Sequence, residues 1–106
     1  MGDRKHSELY TSLLVFLEQH GREAIDGVLE RGMPLGRALE FLALLEADNV
    51  PIYGLEVWLL TSHGHEIDLS SVWASSPGNA HDYSAARSWL QLVRPRPQDL
   101  VAVQFG

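Results

Sequence analysis

The chain has no cysteine and only one lysine, and between Arg37 and Arg87 it has neither lysine nor arginine. Without thiols there are no disulfide staples, no thiolate nucleophile and no cysteine-ligated zinc, a pattern that suits a reducing cytoplasm. Long apolar runs are missing too. No stretch approaches the ~18 residues of a membrane span, and no apolar signal segment follows the first residues, so the expected location is cytoplasmic. A Gly-rich phosphate loop, a dinucleotide fingerprint and a nucleophile elbow are all absent from the sequence, and neither a cofactor nor a metal is expected. There is no internal repeat and no low-complexity segment.

What is present is ordinary globular material. Apolar residues make up 45% of the 106-residue chain, enough to build one core without a metal or a cross-link. The expectation is a single domain over residues 1–106. Seven arginines to one lysine point to a GC-rich bacterial genome.

The net charge is −6 and it is unevenly spread. Glu40, Glu46, Asp48, Glu56, Glu66, Asp68 and Asp82 fill the segment that lacks fixed cations, while the remainder is close to neutral. Polyanion binding relies on clustered Lys and Arg, so neither nucleic acid nor an anionic membrane is an expected partner. A basic protein surface is the natural complement.

Periodicity divides the chain into helices followed by strands. Residues 7–20 predict a helix with Ser7 as N-cap, Leu9, Leu13, Phe16 and Leu17 on one face, and Gly21 closing it in a left-handed turn. A second helix is expected over 22–31 from Ile25, Val28 and Leu29, and a third from Pro34 to Ala47, stopped by Asp48-Asn49. Ile52 to Thr61 reads as a strand, with Tyr53, Leu55, Val57 and Leu59 alternating onto one face. Residues 62–65 read as a turn and 66–69 as a short return strand. Residues 70–79 read as a loop anchored by Trp73. Asn79 is expected to cap a last helix over 80–93 with Tyr83, Ala86, Trp89, Leu90 and Val93 inward. Arg94 to Pro97 is a connector, and 100–105 a final strand with Val101, Val103 and Phe105 on one face. The fold class expected is α+β. The N-terminal helices and one C-terminal helix pack on one face of a small, mainly antiparallel three-stranded sheet.

Candidate chemistry is thin. His63 and His65, two residues apart on a strand, share a face and could ligate a metal or, with Asp68 and His81, form an acid–base site. Polar side chains at a hairpin tip ordinarily face water, and nothing apolar around Glu66 and Asp68 would separate their pKa values. Trp58 and Trp73 are candidate interface anchors or core residues. A helical-faced adaptor protein or a homodimer is a further reading.

One order of features carries a resemblance. Gly54-Leu55-Glu56-Val57-Trp58 is followed by a hairpin, then Trp73, then a helix with Tyr83, Ala86 and Trp89-Leu90, then a short apolar strand. Over residues 34–105 this resembles the immunity proteins of bacterial polymorphic-toxin systems, and most of all immunity protein family forty. Leu55 stands where that family has a second glycine, Glu56 where it has aspartate, Trp58 where it has tyrosine, Val72 where it has asparagine, and Asp82 near its serine. The resemblance implies an antitoxin that neutralises a cognate toxin domain by covering its active or substrate-binding surface. It implies no catalysis by this chain. The contact residues expected are Glu56, Glu66, Asp68 and Trp73, with Glu46 and Asp48 next to them.

Overall fold

A computed structural model of the chain describes the backbone of residues 2–106 and the side chains from Thr11 onward. The elements run α1 (Gly2–His20), β1 (Gly32–Met33), α2 (Leu35–Ala47), β2 (Ile52–Thr61), β3 (Gly64–Ala74), α3 (Tyr83–Val93) and β4 (Leu100–Phe105). The strands form one antiparallel sheet in the order β1-β4-β2-β3. The α+β class is as expected, but the sheet has four strands rather than three, because Gly32–Met33 adds a short edge beside β4.

All three described helices lie on one face of the sheet. Leu13 of α1, Phe41, Leu42 and Leu45 of α2, and Ala86 and Leu90 of α3 pack on Met33, Ile52, Leu55, Val101 and Val103. Val101, Val103 and Phe105 share this face, as their alternation predicts. In β2 the alternation is interrupted. The register against β4 slips between Ile52 and Gly54, and this bulge puts Ile52 and Leu55 on the same side while Tyr53 stays exposed.

The opposite face carries a second, smaller cluster of Trp58, Leu100 and Ala102. Its cover is residues 21–31, where Ala24, Ile25 and Val28 pack down on it. The helix expected over 22–31 is absent. Gly27 takes φ 81°, a left-handed conformation that ends helical progress. Arg22 and Gly32 exchange two backbone hydrogen bonds, of 2.9 and 3.0 Å, across the base of the segment. The spacing of Ile25 and Val28 serves a single turn, closed by Val28 N–H donating to Ile25 O at 3.1 Å. A side chain at Gly32 would meet the Trp58 ring at 2.8 Å, so the bare backbone there is what lets the indole lie close on the sheet.

Several boundaries differ from the expected ones. The α1 helix begins at Gly2, so Ser7 lies inside it and not at its cap. Gly21 does not turn left-handed. A Cβ there would come within 2.9 Å of the Arg31 side chain, so its role is close approach. Asp82, not Asn79, caps α3, with its carboxylate accepting from Ala85 N–H at 3.0 Å. The α2 stop at Asp48-Asn49 is as expected, with Asn49 at φ 54°. The return strand runs to Ala74, so Trp73 belongs to β3, opposite Leu55, and not to a loop.

Candidate functional site

The outermost long strand, β3, pairs only with β2, so its other edge has no strand neighbour among the described residues. Its register against β2 changes midway. Glu56 faces Val72, whereas Trp58, two residues on, faces Ile67. Residues 68–71 therefore bulge out opposite Val57 alone. The Asp68 side chain holds this bulge. One carboxylate oxygen accepts from Ser70 Oγ at 2.7 Å and Ser70 N–H at 3.1 Å, and the other accepts from Ser71 Oγ at 2.7 Å. These bonds, the Ser70 hydroxyl foremost, lower the Asp68 pKa from its ordinary value. At the crest, Leu69 is 87% exposed, and Val72 beyond it is 48% exposed. Such bulges blunt an edge against indiscriminate pairing while aiming particular side chains outward.

A second polar feature fastens the other end of β2. Asp99 is buried, and its carboxylate accepts from Leu60 N–H at 3.0 Å, from Arg96 N–H at 3.0 Å, and from the Arg96 guanidinium at 2.9 and 2.7 Å. The Arg96 guanidinium also donates to Leu60 O at 3.1 Å. Bonding to Arg96 above all holds the Asp99 pKa down at about 2, against the opposing effect of burial. This fork ties the 94–99 connector to β2 and sets β4 in line. Sequence reasoning misses it, although an arginine and an aspartate three apart around Pro97-Gln98 are a turn signature.

The residues singled out from sequence do not gather in one place. Glu46, on α2, pairs with Arg87 of α3. Asp48 caps α2 at its C-terminus. Glu56 is half-buried on the sheet face away from the helices, in line with Trp58 and Ala102. Glu66 is exposed opposite Leu59, and Asp68 holds the bulge. Trp73 is partly buried against the helix-side core, which makes it a packing residue with one accessible margin. Of the six, Glu56, Glu66, Asp68 and Trp73 lie on the β2–β3 hairpin.

The histidines do not converge either. His63 sits at the hairpin turn, while His65 Nε2 lies 3.1 Å from Gln98 O. His81 packs edge-on against Tyr83 near the start of β2, where Ala80 O accepts from Ile52 N–H at 2.7 Å. The length of β2 separates it from His63, roughly 30 Å of extended chain. Among the described residues no group of three or more His, Asp or Glu side chains is placed to hold a metal ion. The groove beside His81, lined by Tyr53, Ser75, Ser76 and Pro77, is open and holds about 440 Å³.

Comparison of the chain with known protein families, curated proteins and solved structures finds no match in any of the three. No described helix is long and apolar enough to cross a membrane.

Proposed function

We propose that this chain is a protein-binding inhibitor of the immunity-protein type, which occludes a cognate bacterial toxin domain in the cytoplasm. The observation that carries the reading is the character of the hairpin edge. Every fixed charge on β2 and β3 is negative (Glu56, Glu66 and Asp68), and Leu69 and Val72 stand exposed on β3, whose outer edge has no strand neighbour among the described residues. Exposed apolar side chains on a hairpin whose fixed charges are all of one sign are the makings of a docking surface for a partner of opposite charge. A toxin domain that handles anionic substrates is basic where it works, so an acidic edge steers association and masks that site. The order of features along residues 34–105, which resembles immunity protein family forty, supports the same class.

The test is co-expression with the toxin domain encoded by the adjacent reading frame. Protection of growth and a stable complex are expected. Glu66→Lys is the informative substitution, because Glu66 is exposed at the strand surface, whereas replacing Asp68 would dismantle the bulge. Association should slow by about tenfold at low salt, with the difference shrinking as salt rises. A complex whose association rate is indifferent to Glu66→Lys and to salt would remove the acidic edge from the contact. Absence of any complex or protection would remove the toxin.

A further inference from the structure

His20, Arg22 and Gln98 bring polar groups to one groove of about 340 Å³ at the end of the sheet opposite His81, and His65 stands beside it. Arg22 follows α1 and is fixed by its two backbone hydrogen bonds to Gly32. Gln98 belongs to the connector that Asp99 and Arg96 tie down. His65 comes from β3, with its Nε2 3.1 Å from Gln98 O and 3.5 Å from an Arg22 guanidinium nitrogen. Those two contacts are mutually exclusive as hydrogen bonds. Gln98 O only accepts, so the ring must carry its proton on Nε2 to bond there, and it then has no lone pair to offer Arg22. Arg22 is left with donors and, among the described residues, no carboxylate within ion-pair distance. The nearest acid of the connector, Asp99, is fully committed to Arg96 and Leu60.

The rest of the groove is apolar, walled by Leu60, Pro97 and Leu100, with His20 at its margin packed at a tilt against Phe16, ring centres 4.6 Å apart. The carbonyl end of α1 would repel an anion, but Arg31 donates to Gly21 O at 3.2 Å and offsets it.

We infer that this groove binds a carboxylate carried on a short apolar body, with Arg22 gripping the carboxylate and Leu60, Pro97 and Leu100 receiving the body. One planar guanidinium in a protein of net charge −6 favours a monoanion that it can hold with two parallel bonds, over a dianionic phosphate. The inference uses neither the acids nor the exposed Leu69 and Val72 of the hairpin edge.

The experiment is titration of the full chain with N-acetyl-leucine, followed by the ring-proton signals of His20 and His65. Saturable shifts are expected, with a Kd on the order of 1 mM, and N-acetyl-leucinamide, which lacks the charge, should bind at least about tenfold more weakly. Arg22→Gln should abolish the shifts and Arg22→Lys should retain part of them; the exposed position makes both variants compatible with the fold, checked by an unchanged amide spectrum. A tetrapeptide ending in leucine separates the sources. If it binds more than about tenfold tighter than N-acetyl-leucine, the ligand is a chain terminus; if it binds equally, a small free acid. Equal binding of the amide, equal binding of inorganic phosphate, shifts that survive Arg22→Gln, or no shift up to the solubility limit would each overturn the assignment.

Discussion

On one face of the sheet, Phe41, Leu45 and Leu90 project from helices onto Leu55, Val101 and Val103; on the other, Trp58, Leu100 and Ala102 lie under residues 21–31, which form neither helix nor long strand. Both faces exclude water from large side chains. They differ in what holds the cover down. The helices satisfy their own backbone and bring a continuous apolar stripe, whereas the 21–31 segment rests on two backbone hydrogen bonds at its base, the Arg31 bond to Gly21 O, one turn bond, and three small-to-medium side chains. It also leaves the Trp58 indole N–H buried without a partner, a cost that no other buried polar side chain among the described residues carries. A layer with few buried contacts and little internal bonding opens at lower free energy than a helical one. The sheet is thus anchored from one side and only screened from the other.

Deleting one apolar side chain from each cover tests this difference most severely. Phe41→Ala should cost about 3–5 kcal/mol, since the ring is fully buried and touches Phe16 and Phe105 as well as the core. Ile25→Ala should cost less than about 2 kcal/mol, because that side chain is only partly buried and its segment can settle into the space. Urea unfolding of both variants measures the difference. Equal losses would mean that the two covers are energetically equivalent.

The next effect lies at the fork that ties the connector to β2, at Asp99. Its folded pKa of about 2 is depressed below the ordinary 3.8, so its contribution is fully present above that ordinary value and is lost as pH falls through it towards 2. The size is about 2 kcal/mol. Asp99→Asn should lower stability by about that amount or more at pH 7, since Arg96 then loses its counter-charge. It should also flatten the acid limb between about pH 5 and pH 2 relative to the parent chain. Parallel pH profiles for parent and variant would show that the fork is not linked to folding. In the sequence, Arg94 to Pro97 has the look of a plain connector, and a turn that buries its own aspartate differs from a solvated one only in what it folds against.

The same physics explains which other elements are legible. Strand β4 and helix α3 follow unbroken periods, and Val101, Val103, Ala86 and Leu90 fall inward as their spacing requires. Strand β3 does not. Ile67 and Val72 share a face although five residues apart, because the bulge at 68–71 inserts three residues and flips the parity. Ser70-Ser71 within it reads as loop, and that reading carries everything beyond Leu69, Trp73 included, into a loop with it. The acidic edge is legible as composition. Its division into exposed Glu66, half-buried Glu56 and internally bonded Asp68 is not, since that depends on which way each strand position faces.

The smallest expected effect tests the screening segment directly. Gly27 has φ 81°, and a Cβ added there would find nothing within 4 Å, so Gly27→Ala removes no contact and meets no obstacle; its cost is conformational alone, about 1 kcal/mol. Asparagine tolerates the left-handed region better than alanine, and Gly27→Asn should recover part of that loss. Urea midpoints of the three chains order as parent, Gly27→Asn, Gly27→Ala if a left-handed turn is what seats Ile25 and Val28 on Trp58. Should Gly27→Ala instead raise stability, the segment would be gaining from helix propensity. The far face would then be covered by the same device as the near one, and the distinction between an anchored and a screened side of the sheet would go with it.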